Sequence, residues 1–319
     1  MKPLANTTTN TRQLLQRLQP FLGLVLIVVI AATLSDRFLT GANILNVLRQ
    51  TSINAIIAVG LTFVILTGGI DLSVGSVLAF SGAMGAVVAA NGHGAIGVLV
   101  VSLLVGTASG IALGIVITKG AVQPFIATLA GMTLWRGGTL VFTGGRPITI
   151  DFAAAADSFL WLGNGRLLGI PVPIYLMALV FGAGYYVLRH TRFGRYVYAV
   201  GGNEEAARLS GVRVDRVKIG VYAISGALAA LGGVIITSRL TSAQPTAGSG
   251  YELDAIAAVV LGGTSLAGGV GTIGGAILGA LVIGVLNNSL NLLNVSSHYQ
   301  LLAKGAVILI AVLLDRRKK

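Results

Sequence analysis

Residues 95–118 read AIGVLVVSLLVGTASGIALGIVIT, 24 positions without one charged side chain. About 20 apolar residues in a helix cover the roughly 30 Å hydrocarbon core of a bilayer. A helix that is apolar on every side belongs inside a protein core or inside lipid. This segment therefore reads as a membrane span. Gly106, Gly110 and Gly114 recur along it every fourth residue. That spacing puts small residues on one helix face and lets a neighbouring backbone approach closely. The same spacing returns at Gly271, Gly275 and Gly279.

Working outward, comparable apolar runs lie near 20–35, 44–66, 73–90, 124–142, 172–188, 216–238, 251–263, 271–293 and 299–314. The chain thus reads as an all-α integral membrane protein of about ten transmembrane helices in one domain, 1–319. The run at 251–263 is the weakest. Its clean apolar part, Ala255–Leu261, is too short to span, so it reads as broken or re-entrant. Composition agrees with this class. Of 319 residues, 55% are hydrophobic and only 10% charged, against about 25% charged in an ordinary soluble domain. Mean hydropathy is +0.88. Soluble globular and disordered classes are excluded.

The net charge of +12 would suggest nucleic acid in a soluble protein. In a membrane protein, basic residues collect in the loops that stay cytoplasmic. With the N-terminus inside, fifteen of the 22 basic residues fall on the cytoplasmic side, seven of them between Arg189 and Lys218. The bias places both termini in the cytoplasm, with 1–19 as a cytoplasmic N-terminal segment. Met1–Pro20 has no small-residue cleavage site, so Phe21–Leu34 reads as a retained span. Residues 143–171, carrying Asp151, Asp157 and Trp161, then form a periplasmic loop.

Catalytic chemistry finds no foothold. There is no cysteine, and His93, His190 and His298 are far apart, so no metal cluster is expected. No G-x-x-x-x-G-K-[ST], H-E-x-x-H or G-x-S-x-G occurs. The G-x-G-x-x-G at 269–274 lacks the acidic residue about 20 positions on and opens an apolar helix, so it reads as helix packing. Any ATP that drives this chain must be bound by another polypeptide.

A few polar residues remain to be placed. Asp71, before Leu72-Ser73, reads as a helix N-cap or a partner contact. Glu252 and Asp254 suit a helix start or, as embedded acids, a proton relay. Lys304 pairs with an acid, snorkels or meets substrate. Arg136 reads as an interfacial anchor. Asn287, Asn288 and Asn291 lie near one helix face, serving either interhelical hydrogen bonds or a polar path. The glycine loops Gly68–Gly75 and Gly262–Gly269 echo each other, as in a duplicated core.

The loop between spans six and seven is the most informative. Asn203 is a good N-cap, Glu204 and Glu205 fill a first turn where the helix dipole favours anions, and Gly211 is a natural stop. A short polar helix over 203–211 follows, suited to the cytoplasmic face. The surrounding block, GRYVYAVGGNEEAARLSGV at 194–212, resembles the coupling-helix loop of sugar ABC-importer permeases. Three further blocks agree: TGGIDLSVGS at 67–76, VQPFIAT at 122–128 and SAQPTAGSGYELDAIAAVVLGGTSLAGG at 242–269. The likeness runs from about Phe38 to Asp315, and it identifies the chain with the sugar and branched-chain amino acid ABC-importer permease family. Val270 stands where a basic residue is expected, which weakens any ATPase or lipid contact there.

The resemblance implies a type II-like permease of the bacterial inner membrane, multi-pass and not an enzyme. It carries a pentose, ribose ahead of related monosaccharides. It implies a homodimer, a cytoplasmic ATP-binding subunit holding ATP and Mg, and a periplasmic sugar-binding protein. No cofactor is bound by the chain itself. By carry-over, Asn203, Glu204, Glu205, Ala206, Ala207, Arg208, Leu209, Ser210 and Gly211 form the coupling helix. The residues themselves suggest a substrate path along Asn54, Thr62, Asn287, Asn288 and Asn291, because a neutral sugar needs amides and hydroxyls more than charges. An ion-coupled secondary transporter is the alternative, with Asp71, Glu252 or Asp254 as the carrier acid.

Overall fold

The computed structural model describes residues 7–150 and 157–316. Asp151 lies outside the described residues. The chain is almost wholly helical: α1 (Thr7–Leu34), α2 (Gly41–Leu66), α3 (Val74–Ala90), α4 (Ala95–Thr118), α5 (Pro124–Thr143), α6 (Asp157–Asn164), α7 (Val172–His190), α8 (Arg192–Gly202), α9 (Glu204–Leu209), α10 (Val214–Leu240), α11 (Tyr251–Leu261), α12 (Ile273–Leu292) and α13 (Ser297–Arg316). Two small antiparallel pairs complete it, β1 (Ile148–Thr149) with β4 (Ser242–Ala243), and β2 (Arg166–Leu167) with β3 (Ile170–Pro171).

Among the described residues, six helices are long and apolar enough to cross a membrane: α2, α4, α5, α7, α10 and α12. The other four apolar runs also carry helices, but α3 has 17 residues and α11 only 11. At 1.5 Å per residue α11 is about 16 Å long, half of what a span requires. The irregular segments 67–73 and 244–250 precede α3 and α11. The second meets the first turn of α3, where a Cβ on Gly75 would overlap the Gly248 carbonyl. Arg136 holds the second break. It donates to the carbonyls of Pro245 (2.8 Å) and Ala247 (2.9 Å), and so braces that segment.

The core sits around α2 and α10. Residues 55–66 of α2 are all buried. The α4 glycine stripe faces α10: a Cβ at Gly106 or at Gly226 would overlap the other's carbonyl oxygen, and one at Gly110 that of Tyr222. The second stripe seats α12 on α11, with Gly279 against the Ala258 carbonyl and Gly275 against Gly262. Apolar side chains on α1, α4 and α5, among them Leu26, Ile96, Leu104, Leu134 and Val141, point outward. Such a surface suits lipid rather than water.

Residues 143–171 are more than a loop. Within them α6 docks on α10, where Ser238 Oγ accepts from Gly163 N (2.8 Å) and donates to Phe159 O (2.7 Å). This cap lies at one end of α7, and α8 with α9 at the other.

Candidate functional site

Two regions carry polar chemistry. The first is a cavity of about 460 Å³ bounded by α2, α10, α11, α12 and α13, within the usual size range of small-molecule sites. Asn54, Asn287 and Asn291, all predicted for the path, line it. Thr62 does not. It lies about 12 Å further along α2, is fully buried, and donates to the Ala58 carbonyl (2.7 Å). Asn288 is turned away too, by the 100° step between neighbours on a helix. It exchanges amide hydrogen bonds with Asn43, 3.0 Å each way, and so ties α12 to α2.

An ion pair occupies one wall. Lys304 Nζ lies 2.9 Å from Asp254 Oδ2, and the Asp254 side chain is 6% exposed. Asn54 Nδ2 donates to the same oxygen (3.3 Å). A carboxylate only accepts, so the amide nitrogen faces it and Asn54 Oδ1 points away. That Oδ1, Asn287 Oδ1 and Thr51 Oγ1 are buried with no hydrogen-bond partner among the described residues. Unpaired buried polar atoms are costly and call for an explanation. The three residues line the same cavity, with these oxygens set into its wall. Asp254 and Lys304 were legible one at a time, and Thr51 gave no signal. Their convergence is a tertiary fact.

The second region is the polar end of the bundle. The predicted short helix is α9. Asn203 caps it by accepting from Ala206 N (2.9 Å), and Gly211 ends the turn at φ +83°. Ala207 is buried, while Glu205, Ala206, Arg208 and Leu209 are exposed, Leu209 at 84%. Glu204 is held from inside the chain by Lys218 (2.7 Å) and Arg208 (3.3 Å). Asp215 lies near Lys119 (3.3 Å). Glu205 has no ion-pair partner among the described residues.

Beneath α9 the two echoing glycine loops meet. Gly269 N donates to Leu66 O (2.9 Å), and a Cβ on Gly201 would overlap that same carbonyl. Tyr198 donates to Gly271 O (2.7 Å). Burial pushes the Tyr198 phenol above its ordinary value, against the pull of Arg189, so it keeps its proton as a donor. Val270 is 64% exposed. α10 runs past this junction with three polar residues at i, i+4 and i+7, which share one face. Lys218 holds Glu204 of α9, Tyr222 donates to Ile70 O (3.1 Å), and Ser225 donates to Asp71 Oδ2 (2.7 Å).

Asp71 is therefore not the expected cap. Ser73 occupies the N-cap position of α3, and Asp71 is a buried acceptor for Ser73 N (3.0 Å), Ser73 Oγ (2.6 Å) and Ser225 Oγ. Among the described residues no group of His, Cys, Asp and Glu suited to a metal ion is present.

A family model described as "branched-chain amino acid transport system / permease component" matches residues 43–312. The chain is 54% identical to the ribose import permease protein RbsC of Escherichia coli K12 over 309 residues, covering 97% of this chain and 96% of that protein. It is 56% identical to RbsC of Bacillus subtilis 168 over 304 residues, covering 95% and 94%. The xylose transport system permease protein XylH of E. coli K12 is 35% identical over 345 aligned positions, with 90% and 88% covered. No solved structure matches the chain.

Proposed function

The chain belongs to the branched-chain amino acid transport system permease family, and on that premise we propose that it is the transmembrane permease of an ATP-driven importer passing ribose across the bacterial inner membrane. The observation that carries this is the identity of 54–56% to ribose import permeases from two bacteria over nearly the whole chain, against 35% to a xylose permease. Related monosaccharides remain the nearest alternative cargo.

Both termini are cytoplasmic, 189–215 is the cytoplasmic loop and 143–171 the periplasmic one. All ten apolar helices lie in the membrane, with α3 and α11 completed by their irregular segments. The position of the basic loop and of the α6 cap at opposite ends of α7 supports this. A neutral sugar enters the cavity lined by Asn54, Asn287 and Asn291. Its sites are kept weak enough for release, while a periplasmic sugar-binding protein supplies selectivity upstream. A second permease copy completes the pathway. ATP and Mg sit on a cytoplasmic ATPase subunit, and this chain binds no cofactor.

The ATPase docks on Asn203–Gly211, using the exposed Glu205, Ala206 and Leu209. Its two states shift the permease between inward- and outward-facing forms through differential contacts there. The path from α9 runs through Glu204 and Lys218 to α10, and from α10 to the 67–73 segment.

The test is reconstitution with the ATPase and binding protein in liposomes. ATP should drive ribose accumulation, and Glu205→Lys should uncouple hydrolysis from uptake. Unchanged uptake and ATPase stimulation in that variant overturn the docking site. Accumulation in ATP-free liposomes under an ion gradient overturns the importer reading.

A further inference from the structure

Asp254 is bound on one side only. Its Oδ2 takes both the Lys304 ammonium and the Asn54 amide, while Oδ1 receives no hydrogen bond from any described residue. Around the same cavity, Thr51 Oγ1, Asn54 Oδ1 and Asn287 Oδ1 are also without partners, and Thr51 itself is only 3% exposed. The lining thus holds unpaired acceptors beside the donors of Arg239 and Lys304. It contains one carboxylate whose charge is balanced by Lys304 and whose orientation is fixed by two donors. A ligand with several hydroxyl hydrogens on adjacent carbons satisfies such a wall. Arg239 also lines the cavity, and the open Asp254 Oδ1 is the acceptor left for a ligand hydroxyl.

We propose that Asp254 is the specificity-determining residue of this cavity, accepting hydroxyl hydrogens of a neutral polyol through Oδ1, with Lys304 and Asn54 as its positioning residues. This rests on the reading that the cavity lies on the sugar path. It adds to that reading where discrimination resides: in a charged acceptor on the short helix α11, not in the asparagines alone. A charged hydrogen bond is stronger than a neutral one, and a site built to bond a hydroxyl rejects the analogue lacking it.

The experiment uses the reconstituted permease–ATPase complex with its binding protein and a panel of labelled D-ribose and its monodeoxy analogues. The same binding protein delivers every sugar to every variant, so its own preference cancels in the ratio. Asp254→Asn should lower ribose uptake at least about tenfold. It should also flatten the penalty for the one deoxy position that costs the unaltered protein most. A deoxy profile parallel to that of the unaltered protein overturns the proposal and leaves the ion pair as a clamp between α11 and α13.

Should Asp254→Asn fail to assemble, the exchanged pair Asp254→Lys with Lys304→Asp decides. It keeps the bridge but moves the carboxylate to α13. Loss of the original deoxy profile in an assembled complex supports the proposal, and its return overturns it. Ribose uptake abolished by Asn287→Leu, together with an unchanged profile in Asp254→Asn, sinks this inference while the sugar path stands. Uptake indifferent to Asn287→Leu and to Asp254→Asn alike sinks the path reading itself.

Discussion

Asp71 and Asp254 make an instructive pair. Each is a buried carboxylate beside a break in a short helix, 1% and 5% exposed. Asp71 has both oxygens committed to hydroxyl and amide donors, no ion-pair partner among the described residues, and no place in either the cavity above or the hollow of about 380 Å³ beneath α9. Asp254 has one oxygen committed, a lysine beside it and a cavity in front. The first is a finished joint and the second an open acceptor. Burial alone does not separate them. What separates them is whether every lone pair already has a partner.

The comparison breaks most readily at Asp71. Asp71→Ala leaves Ser73 N, Ser73 Oγ and Ser225 Oγ facing nothing. Each unsatisfied buried group costs about 1–3 kcal/mol, enough together to remove most of a domain's net stability. The expected outcome is loss of monodisperse permease in detergent, read by size-exclusion yield and melting temperature. Asp254→Ala, whose freed donors face a cavity that admits water, should still purify. Equal melting of Asp71→Ala and the unaltered protein would show that Asp71 is no joint.

Sequence reading reached part of this. α9 was legible because Asn203, the two glutamates and Gly211 act within one or two turns. The glycine stripes were legible because helix packing in lipid imposes a four-residue spacing. Asp71 was misjudged because an acid just ahead of a serine and an apolar helix imitates a cap, while its decisive partner, Ser225, lies 154 residues away. Asn288 shared a helix face with Asn291 on paper, yet its partner is Asn43 across 245 residues. Lys304 and Asp254 are 50 residues apart, and nothing local joins them. Local chemistry is written in order along the chain. The pairing of distant residues is not.

A second substitution sharpens the contrast through the cation. Lys304→Met leaves the Asp254 carboxylate with Asn54 as its only described donor. Losing one partner of a fully buried ion pair costs about 3–5 kcal/mol. The Lys304 side chain is 22% exposed and the cavity is polar, so about 2 kcal/mol is expected here. The double variant Lys304→Met with Asp254→Asn should regain most of that stability while remaining defective in uptake. Thermal melting measures the first and ribose flux the second. A double variant no more stable than Lys304→Met alone would show that the two charges do not interact.

The smallest effect is the most specific. Ser225→Ala removes one of three hydrogen bonds to Asp71, worth about 1 kcal/mol, and the joint should hold. The lost bond is the contact from Ser225 to the 67–73 segment, on the α10 face that also carries Tyr222 and, at its other end, Lys218 against Glu204 of α9. If that face transmits the movement of α9, Ser225→Ala should raise the ATP hydrolysed per sugar imported. Tyr222→Phe, which drops the bond to Ile70 O, should act in the same direction. Asn291→Ala at the cavity should instead lower uptake and leave the ATP response of the α9 end intact. A merely structural Ser225 predicts a small loss of melting temperature with an unchanged ratio. The ratio, not the stability, therefore decides whether the finished joint also carries motion.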